Sequence, residues 1–185
     1  MVELLDRYVS WKILQYFVLH SSKEGYVKEI AKKLDLSTGI YSKTLRELLK
    51  LEVLEKRSLG LGQAHYYKLA NNYIANELKR FIGLFTIHEA GLVNEIVKAF
   101  DGPTSIALYG SYATGKFNEK SDIDTLVIGS KKKKPNLHGI ENKIGREINI
   151  QVFNIGKWLK MKKENDSFYT MVMKDHILLY GSELS

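Results

Sequence analysis

Two apolar segments separated by a short polar stretch constrain the fold of the second half of this chain. The first, "SIALYG", ends at Gly110-Ser111, and the second, "DIDTLVIG", begins with two aspartates, Asp122 and Asp124. Because side chains alternate across a strand, both aspartates lie on one face, about 7 Å apart, and Ile123 lies on the other. Two neighbouring carboxylates are unfavourable unless a cation or protons separate them, so the pattern predicts a divalent metal site, best suited to Mg²⁺.

The Gly-Ser pair provides the complementary half of such a site. Gly110 allows the backbone to approach a phosphate closely, because glycine carries no Cβ. The hydroxyl of Ser111, together with the free amides at the start of a following helix, can hold phosphate oxygens. We therefore predict that Gly110 and Ser111 bind phosphate.

The stretch "GSYATGKFNEKSDID" resembles the signature of the nucleotidyltransferase superfamily, which includes the minimal nucleotidyltransferases and the polymerase-β-like fold. The resemblance covers roughly residues 85–185 and implies a mixed sheet flanked by helices. It implies transfer of a nucleotidyl group from a nucleoside triphosphate, ATP among the candidates, with two Mg²⁺ ions in an active enzyme. By this resemblance Asp122 and Asp124 are catalytic metal ligands, and Gly110 and Ser111 grip the triphosphate.

The family carries a third carboxylate on a later strand, which is best matched here by "REINIQVFNI". Asn149, between two isoleucines, stands where the family has its aspartate. An amide oxygen is a weaker metal ligand than a carboxylate, and it cannot act as a base near neutral pH. Glu147 lies on the same face one step earlier and is the alternative candidate for this third carboxylate, which serves in the family as a general base or second metal ligand. The sequence leaves open whether the domain catalyses transfer or only binds nucleotide.

The first 70 residues contain apolar periodicities that predict three helices, followed by two strand-like arms around Gly60-Leu61-Gly62. The stretch "LDLSTGIYSKTLRELLKLEVLEKR" resembles the winged helix-turn-helix family, and the resemblance covers roughly residues 5–70. It implies a helix in the major groove of double-stranded DNA and a basic hairpin against the flanking backbone. The residues implied in DNA contact are Thr38, Ser42, Lys43 and Arg46 on the third helix, and Lys56 and Arg57 in the wing. A solvated helix face, or a protein-binding winged helix, is the alternative.

The resulting fold class is α/β (α+β), with three segments. We predict a winged helix-turn-helix domain over residues 1–70, a helical connector over 71–100 and a nucleotidyltransferase-like domain over 101–185. The connector has an apolar stripe that would be buried in a core or, alternatively, in a homodimer interface; its residues are Ile74, Leu78, Phe81, Ile82 and Phe85.

Composition narrows the remaining choices. A net charge of +7 favours acidic partners such as nucleic acid or nucleotides, although solvated lysines produce the same value. The chain has no cysteine, so disulfides and thiol chemistry are excluded. No apolar run is long enough for a membrane span, and a cytoplasmic location is expected. Three functions fit these features: nucleotidyl transfer to a protein or small molecule, as in antitoxin-type proteins that act on a toxin partner; DNA-binding regulation with a nucleotide-binding domain; and purely protein-binding modules.

Overall fold

The computed structural model describes residues 8–23, 25–58, 65–100, 102–130 and 132–184. The chain forms two compact units, residues 1–82 and 83–185, and the division falls inside one long helix. The three-segment division at residues 70 and 100 stays a prediction. Among the described residues, no helix has the length and apolar character required to span a bilayer.

The N-terminal unit contains the helices and hairpin that the sequence predicts. In chain order its elements are α1 (Val9–Leu19), β1 (Gly25–Tyr26), α2 (Val27–Lys33), α3 (Thr38–Lys50), β2 (Leu54–Ser58), β3 (His65–Leu69) and the first part of α4 (Tyr73–Ala90). Strands β2 and β3 pair antiparallel, as expected for a wing. The predicted hairpin tip at Gly60-Leu61-Gly62 lies outside the described residues.

Strand β1 is an element that the sequence pattern did not predict. It pairs antiparallel with β3 and completes a sheet of order β1-β3-β2. Gly25 starts this strand, and a Cβ there would lie 2.8 Å from Cγ1 of Ile30. Two residues are too few to show a strand periodicity, so only pairing with β3 reveals this element.

Helix α3 is amphipathic, as the apolar periodicity of the sequence predicts. Its N-cap is Ser37, whose hydroxyl accepts a hydrogen bond from the amide of Ile40 at 3.4 Å. The buried residues are Tyr41, Thr44, Leu45 and Leu48. These residues occupy the i, i+3, i+4 and i+7 positions of one helix face, and Leu49, just outside that face, is half-buried.

The apolar stripe of α4 is only partly buried. Ile82 is fully buried, whereas Ile74 and Phe81 remain 39% and 53% exposed. The ring of Phe81 meets Trp11 of α1 edge-on, with centroids 6.2 Å apart. The expectation that the whole stripe is covered is therefore wrong for this chain alone, and the homodimer stays a prediction.

The C-terminal unit is built on a mixed four-stranded sheet of order β6-β5-β4-β7. After the end of α4 its elements are α5 (Leu92–Ala99), β4 (Ser105–Tyr109), α6 (Gly110–Thr114), β5 (Ile123–Ile128), α7 (His138–Ile144), β6 (Ile148–Phe153), α8 (Ile155–Lys163), α9 (Ser167–Lys174) and β7 (Ile177–Gly181). Strand β4 pairs antiparallel with β5 and β7, and β5 pairs parallel with β6. The predicted fold class is confirmed.

Helices α8 and α9 cover one face of this sheet. Trp158 and Val172 are buried in a core with residues of β4 and β5, and the indole of Trp158 donates to the carbonyl of Leu184 at 2.8 Å. Met171 is 50% exposed. It follows the exposed Ser167 by four positions, so both lie on the outer face of α9, about 100° around the helix axis from Val172.

Candidate functional site

The Gly-Ser and Asp-x-Asp halves of the motif meet at one end of the sheet. Tyr109, the last residue of β4, pairs with Asp124 of β5, and Gly110 follows at once. Gly110 has a φ of +72°, and a Cβ on it would lie 2.8 Å from Oδ2 of Asp124. Only glycine satisfies both the left-handed backbone and this close approach.

Short-range hydrogen bonds fix the turn that carries Ser111. The hydroxyl of Thr114 donates to the carbonyls of Gly110 and Ser111, both at 3.2 Å. The amide of Lys116 donates to the carbonyl of Ser111 at 2.9 Å, and Gly115 ends the helix in the left-handed conformation. These bonds hold half-buried Ser111 directly after β4, at the end of the sheet where the aspartates lie.

Asn149 contacts both aspartates. Its position opposite Asp124 follows from the parallel register of β5 and β6. Its amide nitrogen, Nδ2, lies 3.4 Å from Oδ2 of Asp122 and 3.3 Å from Oδ1 of Asp124. The backbone carbonyl of Asn149 accepts a hydrogen bond from the hydroxyl of Thr125 at 3.0 Å. The amide of Asn149 thus lies beside the two aspartates, where the resemblance to nucleotidyltransferases implies a third carboxylate.

Glu147, the alternative candidate for that acid, lies in a different environment. Its carbonyl accepts the amide of Ile123 at 2.9 Å, which places its backbone beside the pair. Its exposed side chain lines an open cavity of about 340 Å³ between α7 and the start of β6; the lining residues are His138, Glu141, Asn142, Gly145, Arg146 and Glu147. The structure therefore brings Asn149 to the carboxylate pair, and a catalytic role for Glu147 stays a prediction.

The electrostatics of the site disfavour negative charge. Burial raises the pKa of Asp124, and the neighbouring Asp122 raises it further, while the hydrogen bond from Asn149 partly offsets both effects. Burial, helped by the charge of Asp124, raises the pKa of Tyr109 to about 12. Ionised Asp124 therefore lies in a partly desolvated position where additional positive charge would be favourable.

The residues fit a metal that is bound together with phosphate. Oδ2 of Asp122 and Oδ1 of Asp124 converge on one point, because both lie within 3.4 Å of the same nitrogen. Among the described residues there is no group of three or more His, Cys, Asp or Glu side chains that could hold a metal. Mg²⁺ is commonly held by one or two carboxylates plus substrate phosphates, so this donor set suits a Mg²⁺-nucleotide complex.

Thr125 is a site residue that the sequence analysis missed. It is fully buried, yet its hydroxyl is satisfied by the carbonyl of Asn149 on the neighbouring strand. A single hydroxyl inside the apolar run "TLVI", directly after Asp124, was the available signal. A buried polar group needs a partner, and the partner had to come from an adjacent strand.

The residues predicted to contact DNA are on the surface of the N-terminal unit. Thr38, Lys43 and Arg46 are exposed on α3, and Ser42 is half-buried. Lys56 and Arg57 are exposed on β2, opposite Tyr67 and Tyr66 of β3. Because consecutive strand residues point to opposite faces, Lys56 and Arg57 cannot both face the same side of the wing.

Comparisons with known proteins give a family match within the C-terminal unit. Residues 92–179 match the family model of the nucleotidyltransferase domain. The chain is 30% identical over 80 residues to "Putative protein adenylyltransferase MJ1547" of Methanocaldococcus jannaschii; the match covers 43% of this chain and 57% of that relative. The predicted resemblance to nucleotidyltransferases is thereby confirmed. The chain spans little more than half the length of this relative.

Solved structures resemble the chain at low identity. One is a "putative nucleotidyltransferase from Sulfolobus solfataricus", which is 19% identical to this chain and aligns with a TM-score of 0.33. The alignment covers 66% of this chain and 93% of the chain of that structure. Another is the adhesin competence repressor of Streptococcus pyogenes, with 18% identity and a TM-score of 0.37, covering 49% of this chain and 64% of its own.

Proposed function

We propose that the nucleotidyltransferase domain transfers a nucleotidyl group from a Mg²⁺-nucleoside triphosphate to a hydroxyl group on an acceptor. The observation that carries this proposal is the convergence of Oδ2 of Asp122 and Oδ1 of Asp124 on a single point, with the other oxygen of Asp124 close to Gly110. Two carboxylates beside a close-approach glycine form the combination required to hold a metal and the phosphates that it accompanies.

Each part of the site has a defined task in this reaction. The acceptor oxygen attacks the α-phosphorus, the bond from this phosphorus to the bridging oxygen breaks, and pyrophosphate leaves. Mg²⁺, when bound, neutralises charge on the phosphates. Asp122 and Asp124 hold the metal, and the Gly110-Ser111 turn lets the triphosphate approach the backbone. The amide of Asn149 cannot accept a proton. The proton of the acceptor hydroxyl therefore passes to another acceptor, either solvent or the carboxylate of Glu147, the alternative candidate for the base.

ATP as the donor and a protein hydroxyl as the acceptor are supported by the relative from M. jannaschii, whose name describes a protein adenylyltransferase. A toxin protein paired with this chain is one acceptor of that class. The proposal covers the C-terminal unit, which contains residues 92–179 that match the family model.

A second function, a DNA-binding regulator whose C-terminal unit binds nucleotide without transferring it, is favoured by Asn149. Its amide contacts both aspartates where a base would otherwise be found. In either function we propose that α3 of the N-terminal unit contacts double-stranded DNA through Thr38, Lys43 and Arg46. Their exposed side chains are suited to phosphates and base edges.

Two measurements separate these functions. Purified protein is incubated with Mg²⁺ and each α-labelled nucleoside triphosphate, alone and with candidate acceptor proteins, and transferred label is counted. Binding of a non-hydrolysable ATP analogue is measured in parallel. The test variant is Asp122→Asn, and the matched control is Asp175→Asn, which removes the same charge from an exposed position at the end of α9.

The transferase function predicts label transfer by the wild type and the Asp175→Asn control, with loss in Asp122→Asn. Binding of the analogue without transfer of label to any acceptor would favour the regulator. If the wild type neither binds the analogue nor transfers label, both functions are wrong.

A further inference from the structure

The contact between Asn149 and the two aspartates has a consequence for metal binding. We infer that Asn149 is a positioning residue that makes metal binding depend on nucleotide: without nucleotide its amide occupies the point where a metal would bind. This inference rests on the proposed binding of a Mg²⁺-nucleotide complex. We call the two hydrogen bonds from Nδ2 to Asp122 and Asp124 the Asn149 bridge.

The chemistry of the amide explains the Asn149 bridge. A carboxamide nitrogen carries two N–H groups, one for each carboxylate, and both contacts fall between 3.3 and 3.4 Å. The opposite orientation would direct the carbonyl oxygen of Asn149 towards two acceptors that have no hydrogen to donate. The carboxamide of Asn149 is neutral, but its N–H groups are the positive end of the amide dipole. In the Asn149 bridge these N–H groups lie between the carboxylates of Asp122 and Asp124.

The backbone of Asn149 is fixed, so the side chain alone can turn. Residues 148–153 pair in parallel with residues 123–128, which sets Asn149 beside Asp124. The buried hydroxyl of Thr125 ties the carbonyl of Asn149 to β5 at 3.0 Å. Release of the Asn149 bridge therefore requires rotation of the exposed amide, without movement of β6.

A metal at the shared point and the Asn149 bridge exclude each other. A cation at that point would be repelled by the N–H groups of Asn149, whose hydrogens carry partial positive charge. When the amide turns away, Asp122 and Asp124 provide oxygen ligands, but Mg²⁺ requires six ligands in all. Phosphate oxygens of a bound triphosphate provide several of those that remain, so nucleotide offsets the loss of the bridge. By thermodynamic linkage, metal must then strengthen nucleotide binding by the same factor.

An aspartate at position 149 would behave differently. A third carboxylate adds negative charge beside Asp122 and Asp124, and it favours a cation whether or not nucleotide is present. An alanine removes the competing N–H donors and leaves the two carboxylates unseparated. Both substitutions should therefore permit metal binding without nucleotide, although only one of them adds a ligand.

The experiment measures the binding of Mn²⁺ to the protein, with Mn²⁺ as a spectroscopically detectable substitute for Mg²⁺. Free Mn²⁺ is followed by electron paramagnetic resonance, with and without an α,β-methylene ATP analogue that cannot release pyrophosphate. The proteins are the wild type, Asn149→Asp, Asn149→Ala and the control Gln151→Glu. The control adds the same charge on the same strand and face, about 6.6 Å further along. Thermal unfolding of each variant verifies that it folds.

For the wild type we expect weak binding of Mn²⁺ alone and binding about tenfold tighter or more with the analogue. Asn149→Asp should bind Mn²⁺ alone about tenfold tighter than the wild type, with little added effect of the analogue. Asn149→Ala should also exceed the wild type, whereas Gln151→Glu should match it.

Weaker Mn²⁺ binding by Asn149→Ala than by the wild type would overturn the inference, because Asn149 would then be a metal ligand. Wild-type binding of Mn²⁺ alone that equals that of Asn149→Asp would also overturn it and would leave the proposed function intact. Failure of the wild type to bind the analogue at any Mn²⁺ concentration would instead refute the proposed function.

Discussion

Replacement of Gly110 by alanine tests the geometry of the site most directly. Gly110 combines a φ of +72° with a close approach to Asp124, and alanine interferes with both. The added Cβ would lie 2.8 Å from Oδ2 of Asp124, whereas ordinary van der Waals contact begins at 3.4 Å. The carboxylate must therefore move by about half an ångström or more, which also displaces Oδ1, the oxygen that converges with Asp122.

Two separate losses follow from this substitution. A left-handed backbone costs an L-residue about 1–2 kcal/mol, and the smaller entropy of the unfolded alanine chain returns about 0.4–1 kcal/mol. We expect the free energy of unfolding to fall by about 1 kcal/mol from the backbone alone. The displaced carboxylate should also weaken binding of the Mg²⁺-ATP analogue by about tenfold or more, because such sites tolerate errors of only about 0.5 Å.

Gly91→Ala is the matched control. Gly91 has a φ of +79° at the N-cap of α5, and a Cβ there meets nothing within 4 Å. Urea unfolding should show a loss of about 1 kcal/mol in Gly91→Ala from the left-handed backbone, and a larger loss in Gly110→Ala, where the added Cβ also meets Asp124. Titration with the labelled analogue should show weaker binding only in Gly110→Ala. Equal analogue affinities for the two variants would refute the close approach of Gly110 to Asp124 as a feature of the proposed nucleotide site.

Three further predictions concern the charges and hydrogen bonds around the site and on α3. Asp124→Asn should raise the free energy of unfolding at neutral pH without metal, because the raised pKa of Asp124 means that its ionised form costs stability. That advantage should shrink as pH falls through this pKa, since the native protein then takes up the proton; a constant difference from pH 7 to pH 3 would contradict the assignment. Thr125→Val should cost about 0.5–1.5 kcal/mol in urea unfolding, because the hydrogen bond from the buried hydroxyl of Thr125 to the carbonyl of Asn149 is lost. The double variant Lys43→Ala, Arg46→Ala should bind duplex DNA more weakly and reduce the salt slope by about 2, whereas a double alanine variant on α8 should not.

The motif that carries the proposed chemistry could be predicted because it is local. Strand alternation alone places Asp122 and Asp124 on one face, and the apolar segment before Gly110 marks the strand end at which a turn must follow. The structure places all three residues together at that end of the sheet. Such features depend on the near neighbours of each residue in the chain, so the sequence is sufficient to find them.

Features that depend on pairing between distant segments were harder to predict. Strand β1 has only two residues and exists through its pairing with β3. Thr125 has its role only because β6 lies parallel to β5 in one register. In each case the deciding neighbour is far away in sequence.

Asn149 shows both what the sequence determines and what only the tertiary structure decides. The sequence by itself determined that an amide stands where a carboxylate was expected, and that Asp122 and Asp124 share a face of one strand. Only the tertiary structure decided that this amide donates to both aspartates at once. The physical reason is that residue type and strand alternation are set along the chain, whereas the convergence of three side chains depends on the register between two strands that a helix separates.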